Sequence, residues 1–215
     1  MRRAEALFTH LTGTTVRLEI EEAELAKLFT NTWRYIKFAA ANQLYMMATE
    51  MGADFDVIRS AMTQDYPRAA DLPGPGLAAG PCLLKDTMQL AAFNKNSFLI
   101  GHASMLVNEG LPQFMVDQIE KEHDLSTMTV GLLGMAFKAE SDDSRASLSY
   151  KLRKLLAWTG ATVLCTDPYV ADARLVPLDA VLAEADILVL GVPHRAYLDL
   201  DLGDREIVDV WGALG

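Results

Sequence analysis

Apolar positions recur with two periods along this chain, and the change from one to the other divides it. Residues 2–12 carry Ala6, Leu7 and Leu11 at helical spacing, and Gly13 stops the run. In residues 15–20, Val16, Leu18 and Ile20 alternate with Thr15, Arg17 and Glu19, which predicts a half-buried strand. From 21 to 51 the helical period returns, with Leu25, Leu28, Phe29, Thr32, Ile36, Ala39, Ala40 and Leu44 in one broad apolar stripe. Asn42 and Gln43 interrupt that run, and amides there are expected to hydrogen-bond inside a helix bundle. Gly52 ends the helix, and Asp54 or Asp56 caps a short one running to about Met62. Residues 65–82 have no period. Helices follow from Lys85 to Phe93 and from Ser97 to Glu122, the second long enough to act as a strut and bent at Gly110 and Pro112.

After Ser126 strands and helices alternate. Strands are predicted at 128–133, 161–166, 187–192 and 207–210, with helices at 144–160 and 178–185. That order predicts a doubly wound parallel sheet, with ligands bound beyond the carboxyl ends of its strands, where Lys138, Asp167, His194 and Trp211 fall. The fold class is therefore α/β: an all-helical domain at 21–122, then a Rossmann-like, doubly wound parallel-sheet domain at 126–215. One helix and one strand in 1–20 cannot close a core, and they look like the tail of a domain whose body is absent.

Composition narrows the function. The chain has 215 residues, 51% hydrophobic and 22% charged, an ordinary globular balance. A net charge of -10 argues against a nucleic-acid partner, which needs a basic face, yet leaves room for a local basic pocket. No apolar run approaches the roughly 20 residues that span a bilayer, so no membrane partner is expected. Two cysteines and four scattered histidines show no metal-ligand spacing, so no metal is expected. Cys82 and Cys165 lie in segments of different pattern, which argues against a disulfide and fits a reduced, cytoplasmic setting.

The candidate chemistry centres on residues 73–86, where three glycines and three prolines precede Cys82, Lys85 and Asp86. A lone cysteine is by default a small buried hydrophobe. Here a stiff loop hands it to the first turn of a helix, where the helix dipole and Lys85 favour a thiolate. Glycines such as Gly80 let backbone amides approach a ligand closely. Lys27 and Asn31 stand one helical turn apart, a spacing that a solvated surface also produces. Arg68, on the irregular segment, has the planar fork that clamps phosphate or carboxylate. Gly131-x-x-Gly134 is only part of a dinucleotide fingerprint, and no GxGxxG occurs in the chain, so no cofactor-binding residue is assigned. Asp142 and Asp143 are expected to cap the helix before Ser144, with Lys138 and Arg145 offsetting their charge.

Three motifs in register carry a resemblance: Glu24-x-x-Lys27-x-x-x-Asn31, Cys82-x-x-Lys85-Asp86, and Gly131-x-x-Gly134-x-Ala-Phe137-Lys138, with Arg145 beyond. The chain from about Ala4 to Trp211 resembles the UDP-glucose/GDP-mannose dehydrogenase family of nucleotide-sugar dehydrogenases. The resemblance implies a central helical dimerisation domain and a C-terminal nucleotide-sugar-binding domain, with residues 1–20 the last piece of an N-terminal NAD domain otherwise missing here. It implies NAD as cofactor, a nucleotide-sugar substrate, a homodimer through the helices and a place in polysaccharide biosynthesis. By the same resemblance Cys82 captures the C6 aldehyde as a thiohemiacetal and then a thioester. Lys27 and Asn31 stabilise charge on oxygen, and Asp86 positions the hydrolytic water. Lys138, Gly80 and Lys85 contact the substrate, and Arg68 reaches it in the partner subunit.

Two departures bear on specificity. Ala79-Gly80-Pro81 replaces the family's Gly-Gly-Ser, and Pro81 has no N–H to offer. Trp211-Gly212 stands where several members carry an arginine-bearing loop. The chain alone is expected to turn over little. The alternatives are a non-catalytic nucleotide-sugar-binding or dimerisation module, and a relative of the β-hydroxyacid dehydrogenases, which would leave Cys82 without a role.

Overall fold

The computed structural model describes residues 5, 7–78, 80–200, 202–203 and 205–214. Parts of the first expected helix, residues 1–4 and 6, lie outside these, as does Ala79 of the loop. Residues 5, 7 and 8 are helical. The expected strand at 15–20 does not form. Residues 14–19 lack secondary structure, and Val16 is 75% exposed. Alternation specifies a strand only when a neighbouring strand completes its hydrogen bonds, and none lies beside this one among the described residues.

Helix α1 (Ile20–Glu50) opens with the Glu22 carboxylate accepting the Glu19 N–H at 3.1 Å. Its broad apolar stripe splits in two. Leu28, Thr32, Tyr35, Ala39 and Asn42 are buried at the 3–4 residue spacing of one face, while Leu25, Phe29 and Trp33 stay exposed beside them. Asn42 hydrogen-bonds inside the bundle as expected, but Gln43 is exposed, because the helix turns it about 100° away. Asp54 caps α2 (Phe55–Thr63), accepting from the Asp56 and Val57 amides. α3 (Leu83–Phe93) has Cys82 at its N-cap, and α4 (Leu99–Glu120) runs unbroken through Gly110 and Pro112.

The second half is a four-stranded, all-parallel sheet in the order β2-β1-β3-β4. Its strands are β1 (Thr129–Leu133), β2 (Thr162–Thr166), β3 (Ile187–Leu190) and β4 (Glu206–Val208). α5 (Leu148–Trp158) follows β1, α6 (Leu178–Glu184) follows β2 and the short α7 (Arg195–Leu198) follows β3. Successive residues of β1 serve opposite faces: Val130 and Leu132 pack with α5, Leu133 with Val181 of α6. α5 starts four residues later than expected, and Asp142 and Asp143 do not cap it. The Ser147 hydroxyl does, accepting from the Ser149 N–H, while Asp143 pairs with Arg145. A serine at the last extended position offers an acceptor at the right distance, so the earlier carboxylates stay free for other work.

The halves share one core. Leu111, Met115 and Ile119 of α4 pack in the cluster that holds Leu148, Leu152 and Leu156 of α5. Lys151 Nζ, on α5, also donates to the Glu109 carbonyl of α4 at 2.6 Å. The strut thereby fixes the carboxyl edge of the sheet against the helical half. Strand order reverses between β1 and β3, and the loops above that point face α1 and α3.

Candidate functional site

The site grows from the loop between α2 and α3. Asn42 pins its middle: its Oδ1 accepts the Gly76 N–H at 2.8 Å and its Nδ2 donates to the Gly76 carbonyl at 3.1 Å. Asn108 supports Asn42 at 2.9 Å and donates onward to the Tyr35 carbonyl. Leu77 and Ala78 are buried beneath. Gly80 must be glycine: its φ is +106°, and a Cβ there would lie 2.6 Å from Cδ2 of the Phe137 ring. Its N–H donates to the Ala146 carbonyl at 3.4 Å, so that amide is engaged within the chain.

One turn into α3 the chemistry converges. Asp86 is fully buried, and its N–H donates to the Cys82 carbonyl, so Cys82 and Asp86 share a helix face. Asp86 Oδ2 accepts from Lys27 Nζ at 2.5 Å and from Asn31 Nδ2 at 2.6 Å. Lys85 Nζ lies 2.5 Å from Oδ1, close in distance but off the line of a good hydrogen bond. Burial alone would raise the Asp86 pKa; the bonds from Lys27 and Asn31 and the adjacent Lys85 ammonium outweigh it and hold the carboxyl at about 2. Cys82 is exposed and its thiol is free. Lys85 and Arg145 are the cations whose electrostatic surroundings include Cys82. Cys165 is buried, and burial pushes its thiol up to about 11. One thiol is open to reagents and the other is sealed.

Beside Leu83 a cavity of about 210 Å³ opens between the halves. Arg34 and Phe38 of α1 form one wall, Phe137, Lys138 and Pro193 another, and Trp211 the end. Trp211 is held by its Nε1–H, which donates to the Leu190 and Gly191 carbonyls. Lys138 Nζ sits 5.6 Å from the Phe137 ring centroid. Neither Arg34 nor Lys138 is in a close ion pair with a described residue, although Lys138 acts on the Asp143 carboxylate, so a -10 chain places two cations at this cleft. An anionic ligand is the natural complement.

The structure thus brings Lys27, Asn31, Lys85 and Asp86 into contact, with Cys82 one helical turn away and Gly80 and Lys138 on the adjoining walls. Arg68 is exposed on the turn before the loop, with no hydrogen bond or ion pair to these residues. Glu24 is exposed too. Arg34 and Phe38 escaped the sequence reading, although the signal was present. Positions 27, 31, 34 and 38 follow the same 3–4 spacing and define one helix face.

The two glycines of the partial fingerprint do not open on a phosphate. A Cβ at Gly131 would meet Val181 and Leu188 side chains, so that glycine serves the packing of α6 on the sheet. Gly134, at φ +95°, lies against the Val192 backbone. Met135, Ala136 and Glu140, which follow, are held by Asp167 and His194. Among the described residues this turn does not fit a dinucleotide.

Comparison with known proteins agrees with the architecture. Residues 21–109 match the central domain of the UDP-glucose/GDP-mannose dehydrogenase family, and residues 131–214 match its UDP binding domain. A UDP-N-acetyl-D-mannosamine dehydrogenase of Methanocaldococcus jannaschii is 33% identical over 200 residues, covering 91% of this chain and 46% of the relative. One from Salmonella typhi is 31% identical over 235 residues, covering 98% and 55%. The chain spans about half the length of the curated relatives it matches. Among solved structures, a UDP-glucose dehydrogenase from the hyperthermophilic archaeon Pyrobaculum islandicum superposes with a TM-score of 0.84 at 26% identity, covering 99% of this chain and 54% of that one. A UDP-D-ManNAc dehydrogenase from Pyrococcus horikoshii gives 0.80 at 25%, covering 90% and 49%.

Proposed function

The chain belongs to the UDP-glucose/GDP-mannose dehydrogenase family, and from that premise we propose that it carries the substrate-binding and covalent half of a UDP-sugar 6-dehydrogenase. Residues 21–122 are the helical dimerisation and catalytic domain, residues 126–215 bind the nucleotide sugar, and residues 1–20 are the end of a dinucleotide domain. The observation that supports this best is the buried Asp86 cluster, one turn from an exposed Cys82 and beside a cleft with two cations.

The diphosphate lies across Arg34 and Lys138, and the sugar C6 points to Cys82. Once C6 is an aldehyde, the Cys82 sulfur adds to its carbon and the carbonyl oxygen takes up a proton, giving a thiohemiacetal. The Lys27 ammonium and the Asn31 amide face that oxygen and favour negative charge on it as it develops. At the thioester stage, Asp86 orients a water for attack on the same carbon, which releases the carboxylate and restores the thiol. Lys85 and Lys27 hold Asp86 ionised for that role. NAD supplies the two hydride acceptors that the oxidations require. The Gly131–Gly134 turn does not fit it, and the proposal carries the expectation that the chain alone reduces little NAD. Arg68 reaches the substrate of a second subunit. The exposed row of Leu25, Phe29 and Trp33, with Phe93 and Phe98, lines an apolar groove of about 640 Å³ that pairs with that subunit. No helix among the described residues is long and apolar enough to cross a membrane, and the proposed setting is cytoplasmic.

The test is calorimetry of the chain with UDP, joined to the rate at which iodoacetamide alkylates Cys82. UDP binding that slows alkylation, and that weakens in Arg34→Ala or Lys138→Ala, supports the proposal. No UDP binding, or binding that both variants leave unchanged, overturns it.

A further inference from the structure

His194 follows β3 and stands at the N-cap position of α7 without a capping side-chain bond, and it is fully buried although it does not line the cleft. Its Nδ1 accepts the Glu140 N–H at 3.0 Å, so Nδ1 carries no proton. The other nitrogen, Nε2, lies 3.2 Å from Asp167 Oδ2 and donates to it. Asp167 is itself saturated: Oδ2 also accepts the Met135 and Ala136 amides at 2.6 and 3.0 Å, and Oδ1 accepts those of Tyr169 and Val170. One imidazole therefore ties together both ends of the segment 135–140. Phe137 and Lys138, between the two anchors, reach the cleft.

We propose that His194 is a positioning residue for the nucleotide cleft: by bridging Asp167 and the Glu140 amide it fixes the loop that presents Lys138 to the ligand and Phe137 to the Cys82 loop. Three further observations carry the proposal. Glu140 is a non-glycine residue at φ +56°, a left-handed conformation that surrounding bonds must hold. They do: its N–H is given to His194, and its carboxylate accepts from the Arg195 N–H at 2.9 Å and the Tyr169 hydroxyl at 3.0 Å. Second, the Phe137 ring fills the space that a Cβ at Gly80 would need, so a shift of the 135–140 loop is felt two residues before the nucleophile. Third, the bridge needs an acceptor on one edge and a donor on the other. A hydrophobic side chain of the same size would fill the volume but leave the Glu140 N–H without its partner and remove one donor from Asp167.

The inference rests on the cleft being the nucleotide site, and the experiment separates the two. The full chain, His194→Ala and His194→Asn are compared for UDP affinity by calorimetry, for Cys82 alkylation by iodoacetamide, and for folding by near-UV circular dichroism. Ring nitrogen shifts of His194 are recorded by NMR on the wild type. The expected result is a folded alanine variant whose UDP affinity falls roughly tenfold or more, as for a binding group moved by about an ångström. The asparagine variant, whose Oδ1 can still accept from Glu140, recovers part of the loss. The ring shows a protonated Nε2 and a bare Nδ1. Equal UDP affinity in wild type and folded alanine variant overturns the positioning role alone, as does a ring protonated on Nδ1. Should the alanine variant not fold, the ring signature and the asparagine variant decide. Should the wild type itself not bind UDP, the functional reading fails. The alkylation rate of Cys82 then decides for the loop: altered in His194→Asn it supports the inference, unchanged it overturns it.

Discussion

Replacing Asp86 by asparagine removes one negative charge from a site where two ammonium groups and an amide converge within 2.6 Å. Asparagine keeps the shape but offers one acceptor, and its NH2 must face a donor. Hydrogen bonds to a charged partner are each worth about 1.5–3 kcal/mol. Lys27 and Lys85 are 56% and 61% exposed at their side chains, so water takes back most of their share when the carboxylate goes. What remains is the part-buried Asn31 contact and the misplaced amide, a loss of about 2–3 kcal/mol in all. The assay is urea unfolding of wild type and variant at pH 7 and at steps down to pH 2. The sign follows from linkage. The folded Asp86 carboxyl sits at about 2, below the unfolded value of about 3.9. Its contribution is complete above the unfolded value and is lost as pH falls through the folded one. The wild-type advantage should therefore be full at neutral pH, begin to shrink near pH 4 and vanish near pH 2. A variant as stable as wild type at pH 7, or a gap that stays constant down to pH 2, would refute the claim that this carboxylate holds the cluster.

The thiols give a second expectation. At neutral pH iodoacetamide should modify one thiol per folded chain, at Cys82, because Cys165 is buried and its thiol is pushed up to about 11; mass spectrometry of the labelled peptides reads it, and comparable labelling of Cys165 in folded protein would be contrary. Asn42→Ala should cost about 2–4 kcal/mol in urea unfolding, since it strands the Gly76 N–H and leaves Asn108 short of a donor. It should also make the 72–82 backbone amides exchange faster than those of the sheet.

The helices, the strands and the parallel order were legible because each is written locally, in a period and a cap. The strand at 15–20 was misread for the complementary reason. Alternation in Val16, Leu18 and Ile20 reports what the segment could pair with, and pairing is a property of the neighbour. The split stripe of α1 shows the same limit. Leu25 and Leu28 are alike to a periodicity argument, yet only Leu28 is buried. Ser147, and not Asp142 or Asp143, caps α5 because the chain first uses Asp143 to bind Arg145, a choice no window of sequence displays.

The candidate site divides along the same line. Lys27, Asn31, Cys82, Lys85 and Asp86 were named from two short motifs, but the distance between those motifs in space was supplied by resemblance. It is set in the structure by Asn42, which draws the Gly76 turn onto α1 and so delivers the start of α3 opposite Lys27. Arg34 and the bridging role of His194, which the sequence placed only at a strand end, lay beyond reach for different reasons. Arg34 is a surface-type residue whose meaning comes only from the Lys138 loop across the cleft. His194 gains its meaning from a donor and an acceptor 54 and 27 residues away. A histidine that satisfies both is held in one ring orientation, so a buried ring at the end of a core strand can report the state of a loop that it never leaves.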